Sequence, residues 1–359
     1  MADSKQAPLD AEAAAKAAFA SVQDRPFPDD IFTAPELRWA VIGCGVIANQ
    51  MAQSLALAGR KLAGVANRTL SKAQAFAEQY GIEKVYESVE DLYADPNIDA
   101  IYITTPHNTH ITYLRAALAA GKHVLCEKAI TLNSAELDEA RAIADEQNVV
   151  LMDATTVLHM PLYQELRRRM GAGEFGRMNL AQLNFGSYKE YGDLTNRFYN
   201  RNLAGGAMLD IGVYALSVMR LFMASQPIEV VSLGNTCETG VDVAGGIVCR
   251  NAEQQLGVVS LTLHSKQPKR SIISFDKCYI EVNEYPRADH ATIVWTADGH
   301  REEVHAGTEA YALCYEMADL EKAVAGDDSK RELLDYASDV MKLMTKLRAD
   351  WGVVYPEEE

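Results

Sequence analysis

Basic residues are in short supply: 34 Lys and Arg stand against 50 Asp and Glu, a formal charge of −16 over 359 residues. That imbalance argues against a nucleic-acid backbone or an anionic membrane surface as partner. No apolar run approaches the ~18 residues that cross a bilayer. Asp3, Lys5, Asp10, Glu12 and Lys16 interrupt any apolar core a secretory leader would need. The six cysteines are scattered without a C-x-x-C pair, so buried free thiols and a cytoplasmic location are expected. There is no G-x-S-x-G or Walker pattern. His107 and His110 lie three apart with no evident third ligand, so no metal site is expected. Internal repeats are missing, and low complexity is confined to the alanine run at 11–20.

What remains is ordinary globular composition, 48% hydrophobic and 23% charged. Such a chain is neither a disordered tail nor a fibrous rod. Its length suggests two domains at ~150 residues each. Residues 1–36 read as an extension, with an alanine-rich helix broken by Pro26, Pro28 and Pro35. From Leu37 to about residue 155, short apolar runs alternate with helical spacing. Trp39–Ile42, Leu62–Ala66, Ala100–Ile103, His123–Cys126 and Val149–Met152 are the expected strands. Continuous apolar strands between helices imply a parallel sheet covered on both faces. Residues 156–359 change texture. Partly alternating runs near 178–186, 228–236, 245–250, 258–263, 270–275, 278–283 and 291–295 predict a mostly antiparallel sheet with one covered face. A helix at 206–223 and two closing helices at about 309–325 and 330–349 complete the pattern, and the closing pair could pack back on the first domain. Arg167, Arg168 and Arg169 are expected at a helix end as a solvated face.

Gly43-Cys44-Gly45-Val46-Ile47-Ala48 spells G-x-G-x-x-A between the first strand and the first helix. In that context the glycines allow a tight turn and close backbone approach to a pyrophosphate. Ala48 lets the helix pack on its strand. An acid about 20 residues on would bind the ribose of NAD, yet the second strand ends in Ala66-Asn67-Arg68-Thr69. Arg68 suits a 2′-phosphate, which favours NADP. The alternative is NAD with the guanidinium stacked on adenine. Two further clusters close strands at the edge where such sheets bind ligands: Thr104-Thr105-Pro106-His107-Asn108-Thr109-His110, and Gly121-Lys122-His123-Val124-Leu125-Cys126-Glu127-Lys128.

With Gly205-Gly206-Ala207-Met208-Leu209-Asp210-Ile211-Gly212-Val213-Tyr214 and the ending Trp351–Pro356, these motifs resemble the glucose–fructose oxidoreductase, inositol dehydrogenase and rhizopine-catabolism family (Gfo/Idh/MocA) from about Leu37 to Pro356. The resemblance implies an α/β fold: an N-terminal Rossmann domain with a doubly wound parallel sheet, then a C-terminal α/β domain on a large open, mostly antiparallel sheet. It implies a nicotinamide cofactor touching Gly43, Cys44, Gly45, Val46, Ile47, Ala48, Asn67, Arg68, Thr104, Thr105, Pro106, His110, Glu127 and Lys128. It carries catalytic roles to Lys128, Asp210 and Tyr214, and a substrate contact to Arg197 is weighed beside them. Ala129 departs from the family's proline after the lysine. Many members have histidine where Tyr214 stands, and the tyrosine resembles the dihydrodiol-dehydrogenase and glucose–fructose oxidoreductase branch.

The chemistry of these residues agrees. Oxidising a secondary alcohol requires removing its hydroxyl proton, and Tyr214 is expected to do so with its pKa lowered by Lys128, or Lys128 to do so itself. The expected function is hydride transfer between NAD(P) and a sugar, cyclitol or related cyclic diol. An NAD-dependent glycosidase and a non-catalytic cofactor sensor are the alternatives. A homodimer or tetramer through the open sheet is expected.

Overall fold

A computed structural model describes residues 17, 19–23 and 25–359. Most of the expected alanine-run helix therefore lies outside the described residues. Six strands form the first sheet: β1 Trp39–Ile42, β2 Gly64–Ala66, β3 Lys84–Tyr86, β4 Ala100–Ile103, β5 His123–Cys126 and β6 Leu151–Asp153. Their order is β3-β2-β1-β4-β5-β6 and every pairing is parallel. β1 and β4 are buried at every position, as central strands covered on both faces must be. The sequence reading omitted β3, whose Lys84 is exposed and which carries too few apolar residues to stand out.

Eight strands form the second sheet: β7 Met178–Gly186, β8 Glu229–Thr236, β9 Asp242–Arg250, β10 Leu256–Thr262, β11 Gln267–Phe275, β12 Cys278–Asn283, β13 His290–Trp295 and β14 Arg301–His305. The order is β14-β13-β12-β11-β7-β10-β9-β8. All pairs are antiparallel except β7 with β10. β14, also omitted by the sequence reading, is a charged edge strand. Such charge discourages edge-to-edge pairing with another chain.

One face of this sheet is covered by the helix Val213–Phe222, buried at all but two positions. The helix Leu333–Asp350 packs on it in turn. At ~1.5–3 kcal/mol for each fully buried large apolar side chain, this layer dominates the domain's cohesion. Trp351 then lies against the backs of Gly234 on β8 and Gly245 on β9, where a Cβ would sit 2.2 Å and 2.3 Å from the indole. Its Nε1 donates to Ser232 Oγ at 3.0 Å. The closing helix Ala312–Val324 crosses to the first sheet, where Leu313, Met317 and Leu320 share a core with Trp39, Val41 and Met51.

Two sequence readings need correction. Arg169 is not solvated: it is 9% exposed and ion-paired with Glu174 and, at 2.7 Å, with Glu302. Arg201–Phe222 forms a continuous 22-residue stretch that is long and apolar enough by composition to cross a membrane. Within the fold 78% of its most apolar 18-residue window is buried, the signature of a core helix.

Candidate active site

β1 delivers the chain into Gly43, whose φ of +108° belongs to the region that glycine tolerates. A Cβ there would meet Thr104 Oγ1 at 2.5 Å. Gly43 N donates to Ala66 O at 2.9 Å, tying the turn to the end of β2. The helix Val46–Leu57 follows, with Gly45 as N-cap. No side chain caps it and no acid stands in its first turn. A Cβ at Gly45 would find nothing within 4 Å. Uncapped N–H groups, the positive end of the helix dipole and open space suit a dinucleotide pyrophosphate. Ala48 is fully buried against the sheet and Val46 is exposed. Burial pushes the Cys44 thiol up to about 11, although the Lys72 charge pulls the other way, so Cys44 stays a neutral thiol. A cleft of about 560 Å³ opens beside this turn, lined in part by Cys44, Gly45, Gln50, Tyr80, Arg287 and Glu309. Neither Lys128 nor Asp210 lines it.

At the end of β2, Asn67 turns back on its own chain and donates to Thr69 O at 3.0 Å. Arg68 is exposed beyond it. Lys72, one turn into the next helix and also exposed, is a second cation near the glycine turn. Sequence reasoning missed it, though its place four residues after Arg68 was a usable signal.

After β4, Thr104 Oγ1 donates to Ile42 O at 3.0 Å and Thr109 Oγ1 donates to Thr105 Oγ1 at 2.8 Å. Pro106 caps the short turn that leads into His110. His110 is fully buried and braces two loops, with its ring nitrogens 2.8 Å from Thr105 O and 3.0 Å from Ala129 O. His107, weighed earlier only as a metal ligand, sits 2.9 Å from Lys128 O through Nε2. Burial and the neighbouring Lys128 charge push its ring down to about 3, so it is neutral. Among the described residues no group of three or more His, Cys, Asp or Glu is arranged to hold a metal.

Glu127 and Lys128 follow directly after β5. Lys128 Nζ donates to Asp210 O at 2.7 Å and to Asp210 Oδ1 at 3.2 Å. It also lies 4.8 Å from the centre of the Tyr214 ring, a cation–π contact. The peptide bond from Lys128 to Ala129 is cis. Ala129, in place of the family's proline, leaves the ammonium aimed at Asp210. Arg197 is 61% exposed and approaches Asp210 Oδ1 at 3.7 Å, with its guanidinium stacked on Phe198. The structure thus brings Lys128, Asp210, Tyr214 and Arg197 together.

Burial works against charge on Lys128, but Asp210 and Tyr214 outweigh it and hold the ammonium above its ordinary pKa. Burial likewise opposes the Asp210 carboxylate, yet Lys128, then Arg197, holds it well below the usual carboxylate range. For Tyr214 the expectation is reversed: burial raises the phenol and the Lys128 charge only partly offsets it. The phenol therefore keeps its proton at neutral pH.

Asp210 is set by an irregular helix start. Met208–Gly212 forms a π turn before the regular helix begins at Val213. Such turns shift the phase of the side chains that follow. Asp242 Oδ2 accepts from Met208 N at 2.6 Å and pins this turn. Gly205 and Gly206 make the bend possible. A Cβ on Gly205 would lie 2.6 Å from Arg197 O, and Gly206, at φ +125°, would meet Asp242 Oδ1 at 2.3 Å. Tyr355 closes the bend from the chain's end by donating to Gly205 O at 2.7 Å.

Residues 37–155 match the oxidoreductase family with an NAD-binding Rossmann fold, and residues 163–281 match the GFO/IDH/MocA C-terminal domain. Among curated relatives, the mouse trans-1,2-dihydrobenzene-1,2-diol dehydrogenase is 33% identical over 69% of this chain and 75% of its own length. The pig enzyme of the same name is 29% identical over 90% of this chain and 99% of its own. Among solved structures, a levoglucosan dehydrogenase in complex with NADH and levoglucosan superposes with a TM-score of 0.76 at 19% identity, covering 87% of this chain and 97% of that one. A 3-ketoreductase from Actinomadura kijaniata with NADP and TDP-benzene gives 0.75 at 23%, covering 88% and 98%. These two likenesses speak to fold.

Proposed function

The chain belongs to the GFO/IDH/MocA oxidoreductase family, and on that premise we propose that it transfers hydride between NADP(H) and a secondary alcohol or carbonyl of a cyclic diol or sugar-like ring. The observation that carries this reading is the meeting of Lys128, which follows a strand of the nucleotide-binding sheet, with Asp210 and Tyr214. A bound nicotinamide supplies the hydride donor or acceptor.

The protein supplies the proton and the orientation. Lys128 is charged and Tyr214 is protonated at neutral pH, so both can donate to an oxygen that becomes an alkoxide as a carbonyl is reduced. In the oxidising direction one of them must first lose its proton, so that direction speeds up toward alkaline pH. Asp210 holds the ammonium on the reacting side. Arg197 stands at the rim, where its guanidinium can pair with a substrate oxygen.

Arg68 and Lys72, with no acid at the end of β2, support NADP over NAD through charge-assisted bonds to a 2′-phosphate. The identity to dihydrodiol dehydrogenases supports a cyclic diol. We also infer a homo-oligomer. The uncovered face of the second sheet presents Val231 at 75% and Leu233 at 83% exposure, with Val248 paired to Val231 beside them. A second copy of the same face is the occupant that buries this patch by symmetry.

The test is a panel of dihydrodiols, polyols and sugars with each nicotinamide cofactor, read by absorbance of the reduced ring. Turnover of a cyclic diol or sugar with net cofactor reduction supports the reading. Cofactor binding without redox turnover of any ring substrate overturns it.

A further inference from the structure

The three acids on the closing helix Ala312–Val324 are all buried, and two of them have charged partners. Asp319 meets His159 Nδ1 at 3.1 Å and Lys330 Nζ at 2.9 Å. Glu321 accepts from Arg60 at 2.6 Å and from Trp39 Nε1 at 3.0 Å. Glu316 is fully buried, and neither of its carboxyl oxygens has a hydrogen-bond partner in good geometry among the described residues. The active site described above does not use it.

The helix packs on β5, which Glu127 directly follows, and on the turn Thr156–Leu158, which places the Thr156 hydroxyl nearby. Asp153 closes β6 and adds a second acid. Arg287, from the turn at 285–287, is the cation that acts on Glu316. Tyr102, on β4, feels the charge of both glutamates. The Tyr102 hydroxyl donates to Glu127 Oε1, and Lys128 N donates to Glu127 Oε2 at 3.2 Å. Glu127 therefore has donors on both oxygens and the Lys128 ammonium next to it, whereas the Thr156 hydroxyl is the one hydrogen-bond donor that acts on Glu316.

Burying a lone carboxylate as its charged form is unfavourable, and in practice the group takes up a proton instead. Two carboxyls in one buried site do not both ionise readily. We propose that Glu127 and Glu316 form a carboxyl pair holding one proton between them at neutral pH, with the negative charge on Glu127 and the proton on Glu316, and that Glu316 is thereby a positioning residue for Lys128. Burial raises Glu316 well above the carboxylate range and the Glu127 charge adds to it, which agrees with the hydrogen-bond pattern. Ionising Glu316 would place a second negative charge behind Lys128 and draw its ammonium away from Asp210. The kinetic side of this inference rests on Lys128 acting in the reaction; the protonation side does not.

The experiment is infrared difference spectroscopy of the full chain without cofactor, titrated from neutral to alkaline pH. A protonated-carboxyl band is expected at neutral pH, to be lost in Glu316→Gln and retained in Asp153→Asn. In Glu127→Gln the band should titrate about one pH unit lower or more, because the neighbouring charge is gone. A wild-type spectrum without the band overturns the proposal, as does a band of unchanged size in Glu316→Gln or an unshifted titration in Glu127→Gln. The kinetic arm is the pH profile of turnover, in which Glu316→Gln should lack one alkaline ionisation. An unchanged profile beside the expected infrared results overturns only the link to Lys128.

Discussion

Replacing Gly206 with alanine tests whether the bend before the π turn sets the Lys128–Asp210 pair. The backbone at Gly206 has φ +125°, and a Cβ would lie 2.3 Å from Asp242 Oδ1 and 3.4 Å from the Tyr355 hydroxyl. The conformation costs a non-glycine residue ~1–3 kcal/mol. Moving Asp242 aside adds ~1–3 kcal/mol of overpacking. A loss of ~2–6 kcal/mol lowers Tm by ~3–8 °C in a chain of 359 residues, where each kcal/mol is worth about 1.3 °C. Displacing Asp242 also frees Met208 N, so Asp210 shifts and kcat falls by ~10–100-fold. Gly45→Ala is the control: nothing lies within 4 Å of its Cβ and its φ is −79°, so Tm should hold while cofactor affinity drops. Calorimetry and steady-state kinetics on both variants decide the matter. A Gly206→Ala protein that melts and turns over like wild type would refute the reasoning.

Arg68→Asp should move cofactor preference from NADP toward NAD, with Lys72→Ala weakening NADP further; calorimetric affinities for both cofactors check this. Asp210→Asn should cost stability at neutral pH. Because Asp210 titrates lower when folded than unfolded, that contribution is present above about pH 4. The gap in Tm between wild type and variant should therefore narrow as pH falls below that point, and a gap that widens would contradict the pairing. Leu233→Lys with Val231→Glu should yield a monomer by light scattering, with the fold intact by circular dichroism.

The first sheet was legible because each central strand is a continuous apolar run and G-x-G-x-x-A is a local signal at a strand–helix junction. Lys128 was legible for the same reason, since it stands two residues past a strand whose end faces the ligand edge. What escaped depended on partners distant in sequence. Glu316, Asp319 and Glu321 look like the polar face of an amphipathic helix, and only Arg60, Trp39, His159 and Lys330 reveal that the face is buried. The parallel pairing of β7 with β10 joins segments some seventy residues apart, and no local pattern distinguishes it from its antiparallel neighbours. The direction of the Tyr214 shift turned on burial, which a sequence does not display.

The measurement closest to the central claim is a single-turnover reaction of Lys128→Met against wild type, with a ring substrate from the panel and hydride transfer followed by nicotinamide absorbance. Lys128 carries the charge that holds Asp210 and faces Tyr214, so its loss should slow the hydride step by ~10²–10⁴-fold. Cofactor affinity should change little, because the pyrophosphate is held by the glycine turn. A hydride step at the wild-type rate in Lys128→Met would contradict the assignment of the site.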